Sequence, residues 1–209
     1  MKLHSNDIED GQPIDPTFAF GRPSDDGPME LSDNVSPHLA WNGVPDGTRS
    51  FAILCVDPDV PSVADDVNQE GRTVPATLKR VDFYHWVMID VPADRRELET
   101  GECGRGVTPG GKKQPPGPSG TRQGLNDYTS FMAGDEKMAG QYYGYDGPCP
   151  PWNDELLHHY RFIVYALDVE SLEVSPSFDG REIAEAIRGH VLGEASLTGT
   201  YTLNPEVAG

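Results

Sequence analysis

Ser50-Phe51-Ala52-Ile53-Leu54-Cys55-Val56 is a continuous apolar run. A run this short, closed by turn-forming residues, reads as a strand buried on both faces. It ends at Asp57-Pro58-Asp59-Val60-Pro61, where two prolines lack the N–H that a sheet ladder needs, so the strand is expected to stop at Val56. Phe83-Tyr84-His85-Trp86-Val87-Met88-Ile89, closed by Val91-Pro92, is a second run of this kind, and Tyr160-Arg161-Phe162-Ile163-Val164-Tyr165-Ala166-Leu167 a third. Near the end, Ala195 to Leu203 alternates as a half-buried strand does. One helix stands out: Asp179 is a candidate N-cap with Glu182 three residues on. Ile183, Ala184, Ile187 and Val191 then recur at helical spacing up to Gly193. Mainly β with one late helix points to an antiparallel β-sandwich.

Around these elements, 23 glycines and 19 prolines punctuate the chain and leave little room for long helices. Residues 62–80 are polar and aperiodic, and 101–127 carry Pro109-Gly110-Gly111 and Pro115-Pro116-Gly117-Pro118; both read as long loops. Residues 1–28 are polar and turn-rich and are expected to be a flexible lead. The 209 residues suit a single domain with its core over about 29–203.

Asp plus Glu number 34 against 16 Lys plus Arg, a formal charge of −18. Such a surface repels phosphodiester backbones and anionic membranes, which disfavours nucleic-acid binding and membrane contact, although a single pocket can still attract an anion. No run of 18 apolar residues exists and the N-terminus lacks an apolar signal core. Cys55, Cys103 and Cys149 are odd in number and unpaired in spacing, which argues against a disulfide framework or a closed zinc site. Free thiols in a reducing cytoplasm are the expectation.

Three segments can carry chemistry. In Asp57-Pro58-Asp59-Val60-Pro61 the prolines fix the backbone and aim two carboxylates, although Asp and Pro also make ordinary turns. His85 lies inside an apolar strand; by period two it shares a face with Phe83 and Val87, and a lone histidine there is more often a hydrogen-bonded core residue than a functional one. Tyr145-Asp146-Gly147-Pro148-Cys149-Pro150-Pro151 is a rigid loop in which Gly147 leaves room beside the backbone, followed by His158-His159-Tyr160, where His158 and Tyr160 point the same way.

These motifs, with Gly120-Thr121-Arg122-Gln123-Gly124-Leu125-Asn126-Asp127 and Gly199-Thr200-Tyr201, resemble the phosphatidylethanolamine-binding protein family, also called Raf kinase inhibitor-like proteins, in its bacterial branch. The resemblance implies a β-sandwich with a small C-terminal helical element. It also implies a pocket for phosphate, phosphorylated head groups or similar anions, lined by Asp57, Asp59, Pro61, His85, Gly147, Pro150, His158 and Tyr160. Pairing into homodimers and inhibition of a kinase or protease are further family traits. This chain carries His159 where the family usually has Arg, and its stretches 62–82 and 101–142 look long for the family.

In such a pocket the two histidines and the Tyr160 hydroxyl would donate to the anion, while Asp57, which would repel it, is expected to accept from a histidine and favour its cationic form. The rival class is a hydrolase-type enzyme using Asp57, His85 and His158 as an acid–base site, or Cys149 as nucleophile. No Gly-x-Ser-x-Gly elbow, His-Glu-x-x-His or phosphate-binding loop is present. Neither cofactor nor metal is expected, although Asp57, His85 and His158 are ligand types that suit zinc or iron.

Overall fold

The run at 50–56 forms the middle of a five-stranded antiparallel sheet. The computed structural model describes residues 1–207. Its strands are β1 (Lys2–His4), β2 (Gly21–Arg22), β3 (Glu30–Leu31), β4 (Leu39–Asn42), β5 (Ser50–Pro61), β6 (Arg80–Pro92), β7 (Glu97–Leu98), β8 (Arg122–Gln123), β9 (His158–Leu167) and β10 (Val191–Tyr201), with two short helices, α1 (Tyr128–Phe131) and α2 (Gly180–Ala186). The large sheet runs β10-β9-β5-β6-β8; β1-β4-β7 form a second sheet and β2-β3 a ribbon. The fold is mainly β, as expected.

Both faces of the large sheet are covered, which is why its central strands read as unbroken apolar runs. On one face Phe51, Ile53, Trp86, Met88, Phe162 and Val164 meet Leu39, Trp41 and Leu98 of the small sheet. On the other, Leu54, Val87, Ile89 and Leu167 meet Leu172, Phe178, Ile183 and Ile187 from the segment that includes α2. A Cβ on Gly180 would collide with the Tyr84 ring, so the helix start lies directly on β6.

Three expectations are corrected. Strand β5 continues through Asp57 and both prolines to Pro61. Its register to β6 slips between Asp57 and Val60, and the irregularity leaves Pro58 outside the regular pairing, where a missing N–H costs nothing. The helix ends at Ala186: Gly189 turns the chain with φ +83°, and Val191 and Gly193 belong to β10. Residues 1–28 are no lead outside the core, because Ile8, Ile14, Phe18 and Phe20 are buried and β1 pairs with β4. The long stretch after β5 is tied down by Asn153, whose side chain donates to the carbonyls of Asp66 and Arg72 and accepts from the Asn68 amide.

Candidate functional site

Strands β5 and β9 and the start of β6 reach the same end of the large sheet, and there a cavity of about 290 Å³ opens. Its chemistry begins with a register fault. Cys55 pairs with Trp86 and Val56 with Tyr84, so His85 is the extra residue of a β-bulge. The bulge breaks the period of two: His85 shares its surroundings with Phe83 (centroids 4.8 Å apart), Tyr128 (5.5 Å) and Tyr160 (5.1 Å), whereas Val87 packs on the opposite face. This corrects the expected face-sharing of His85 with Val87 and shows how an imidazole inside an apolar strand reaches a cavity.

His85 Nδ1 lies 2.8 Å from the Asp146 carbonyl, which only accepts, so Nδ1 carries the proton. Burial lowers the His85 pKa and outweighs the opposing pull of Asp57, of its bond to Asp146 and of the Asp127 and Asp146 charges. The ring is therefore neutral at neutral pH and Nε2 is a bare acceptor. Beside it, the buried Tyr160 hydroxyl has no hydrogen-bond partner among the described residues.

His158 differs. Its Nδ1 is 2.6 Å from Asp57 Oδ2 and its Nε2 3.2 Å from Asp154 Oδ2. Two carboxylates on one ring require both nitrogens to be protonated. Burial opposes the charge, but the hydrogen bonds to Asp154 and Asp57, with their Coulombic attraction, raise the pKa to about 9. Arg80 completes the group, with Nη1 and Nη2 at 2.5 Å and 2.9 Å from the Asp154 carboxylate. Two anions and two cations make this quartet electrically neutral. Asp57 thus accepts from a histidine as expected, but the expectation that His158 donates to a guest is corrected, since both its N–H groups are committed.

Of the residues expected in the pocket, Asp57, Pro61, His85, Pro150, His158 and Tyr160 line the cavity; Asp59 and Gly147 do not. Asp59 turns aside to accept from the backbone and ring of His159, at 2.9 Å and 2.8 Å, so His159 supplies a partner where the family's arginine stands. Gly147 serves packing: an added Cβ would strike the Phe18 carbonyl, its amide donates to Asn34, and its carbonyl accepts from Tyr128. It opens no room for a ligand.

The remaining walls are largely apolar and escaped the sequence reading: Phe83, Tyr128, Phe131, Val60 and Val81, with Ala64 and Val67 contributed by the long loop after β5. Asp127 and Arg181 stand at the edge as a pair, 2.7 Å apart. Behind His85 lies a buried hub also unread. Asp146 accepts from Asn34 (2.7 Å), Asn126 (2.8 Å) and Lys112 Nζ (2.8 Å), which ties the long loops to the backbone carbonyl that orients His85.

The rival chemistry finds little support in these details. Burial pushes the Cys149 thiol up to about 12, the reverse of what activates a nucleophile. His158 is already protonated and enclosed, so the Asp57–His158 couple does not present a free base. Among the described residues no group of three or more His, Cys, Asp or Glu side chains is arranged to hold a metal ion, and no helix is long and apolar enough to cross a membrane.

Residues 4–202 match the phosphatidylethanolamine-binding protein family. The chain is similar to the UPF0098 protein YbhB of Escherichia coli, 33% identical over 97% of this chain and all of that one. It is 35% identical to a UPF0098 protein of Methanothermobacter thermautotrophicus, over 81% of this chain and 83% of that one. Among solved structures it is similar to E. coli YbcL, described as a member of the mammalian PEBP family, with a TM-score of 0.67 and 28% identity over 96% of this chain and 97% of that one.

Proposed function

Because this chain belongs to the phosphatidylethanolamine-binding protein family, we propose that it is a binding protein whose cavity beside His85 takes a small anionic group. The observation that carries the reading is the buried Tyr160 hydroxyl, which has no hydrogen-bond partner among the described residues, on a ring centred 5.1 Å from that of the neutral His85, both residues lining the cavity. A buried hydroxyl without a partner costs about 1–3 kcal/mol, and a guest oxygen relieves the cost. Next to it, His85 can take up a proton and become the counter-charge. The neutral quartet around His158 supports the reading from below, since it cancels the Asp57 charge that would otherwise repel an anion. Isothermal titration calorimetry with inorganic phosphate, phosphoethanolamine and acetate on wild type, Tyr160→Phe and His85→Ala tests it. Binding of at least one of these anions, weakened by both substitutions, is expected. The absence of binding by all three, or binding indifferent to both substitutions, refutes it.

A further inference from the structure

One wall of the cavity hangs by very little. The Ser62 amide donates to the Lys79 carbonyl, and the buried Val74 donates to the Asn153 carbonyl and accepts from the Glu155 amide. Between these two fixed points the chain forms a strap, residues 63–73, in which no residue is buried. Ala64, Val67 and Asn68 of the strap nevertheless line the cavity, together with Cys149, Pro150 and Pro151 of the loop before β9. The strap's own backbone bonds are local turns: Val67 to Ala64, Gln69 to Asp66 and Arg72 to Gln69. Among the described residues, its hydrogen bonds to the rest of the protein all end on two neighbours, Trp152 and Asn153. The Asn153 side chain, in a residue only 6% exposed, donates to the carbonyls of Asp66 at 2.8 Å and Arg72 at 3.0 Å, with that of Gln69 at 3.4 Å, and accepts from the Asn68 amide at 3.0 Å. The Asn68 side chain accepts from the Trp152 amide at 3.0 Å, from a backbone at φ +56°, a left-handed conformation that asparagine enters more readily than most residues. Asn153 itself does not line the cavity.

We propose that residues 63–73 are a gate on the cavity and that Asn153 is the positioning residue that latches it shut. A strap without buried residues gains little from apolar burial, so its closed position depends on its hydrogen bonds. Loss of the side chain that makes most of them frees the strap and leaves its ends held at Ser62 and Val74. The latch adjoins Asp154, whose carboxylate holds His158 and Arg80, so the fixed side of the gate is anchored in the neutral quartet. Opening withdraws Ala64, Val67 and Asn68 and widens access to the other lining residues, Cys149 among them. That the guest admitted is an anion rests on the function proposed above; the latch does not.

The test compares the full chain with Asn153→Ala and with Asn68→Gly, which tolerates the left-handed backbone but removes the bond to Trp152. Hydrogen exchange read by mass spectrometry is expected to quicken at least ~10-fold over residues 63–73 in Asn153→Ala and by a smaller factor in Asn68→Gly, with β5 and β9 unchanged. Labelling by a small maleimide is read at Cys149 against Cys103, which is fully buried and lies outside the cavity. The ratio of the two rates is expected to rise at least ~5-fold in Asn153→Ala, whereas global destabilisation accelerates both thiols together. Should Asn153→Ala fail to fold, Asn68→Gly decides by the same two readouts. Strap exchange that stays at the wild-type rate, or an unchanged thiol ratio, overturns the gate. Calorimetry with inorganic phosphate, phosphoethanolamine and acetate then separates this inference from the reading it builds on. Weaker binding to the freed strap supports a gate over an anion site, and equal binding to wild type and variant overturns the gate's part in binding. No binding of any of the three to wild type overturns the anion site, and the exchange and thiol rates still decide the gate.

Discussion

Raising the pH is the sharpest perturbation of the site, because His158 is held cationic by Asp57 and Asp154. The native chain keeps a proton up to about pH 9 that an unfolded chain releases near 6.5. A group whose pKa rises on folding contributes stability that is complete below the unfolded value and is lost as pH climbs through the folded one. The window is therefore pH 6.5 to 9. At 1.36 kcal/mol per unit, the difference between 6.5 and about 9 amounts to about 3 kcal/mol of stability removed across it. Other groups titrate at the upper end, so the measurement is a difference. Urea unfolding of wild type and of His158→Gln is followed from pH 6 to 10, and the gap between them is expected to shrink by about 3 kcal/mol. Long-range proton–nitrogen NMR of the wild type reads the same state without a variant: both His158 nitrogens should remain protonated at pH 8. A ring that deprotonates near pH 6.5, or a stability gap independent of pH, refutes the neutral-quartet account.

Other consequences are local. Gly147→Ala drives a methyl group into the Phe18 carbonyl and should destabilise the fold by about 1–3 kcal/mol in denaturant unfolding. Lys112→Met leaves the buried Asp146 carboxylate without its cation and should cost about 3 kcal/mol; because burial already raises the Asp146 pKa, the deficit should narrow toward acid pH, where the carboxylate protonates. With burial holding Cys103 at about 12 and Cys55 well above 9, these two thiols in native protein at pH 8 should react with a thiol-specific disulfide reagent at least ~100-fold more slowly than in urea, read as the rate of absorbance increase, while the half-buried Cys149 is the one that reacts first.

The apolar runs were legible as strands because both faces of β5, β6 and β9 are buried, so burial is written into every position rather than every second one. Their ends were not. Pro58 reads as a stop, yet a bulge takes it out of the ladder; Val91 closes β6 but Val191 extends the helical spacing by coincidence, past a left-handed Gly189 that no hydrophobic period detects. The N-terminal segment carries no such signal because its few apolar residues are scattered among turns; burial there depends on what they meet, not on their spacing. In the site, the Asp57 and His158 partnership follows from motifs that both lie at strand ends. Asp154 was invisible: four residues before His158 it would share a helix face, but this stretch is not helical, so the spacing carried no geometry. Asn34, Lys112 and Asn126 come from remote segments and meet only because Asp146 is buried among them.

The ion pairs beside the cavity predict the sign of a salt effect. An anion site made of free lysines and arginines loses affinity as salt screens the attraction. Here the cations nearest the cavity are neutralised by Asp57, Asp154 and Asp127, while the chain as a whole carries −18. An approaching anion therefore meets net repulsion from outside and a neutral floor within. Screening the envelope at about 0.5 M salt, where the Debye length falls to roughly 4 Å, should strengthen binding about two- to threefold relative to low salt. The floor is buried and little affected. Calorimetry at fixed pH in chloride salts, with a monoanion such as phenylacetate, measures the slope directly. Affinity that falls steeply with added salt would mean that a free cation reaches the guest, and the neutral-floor argument would be wrong at its base.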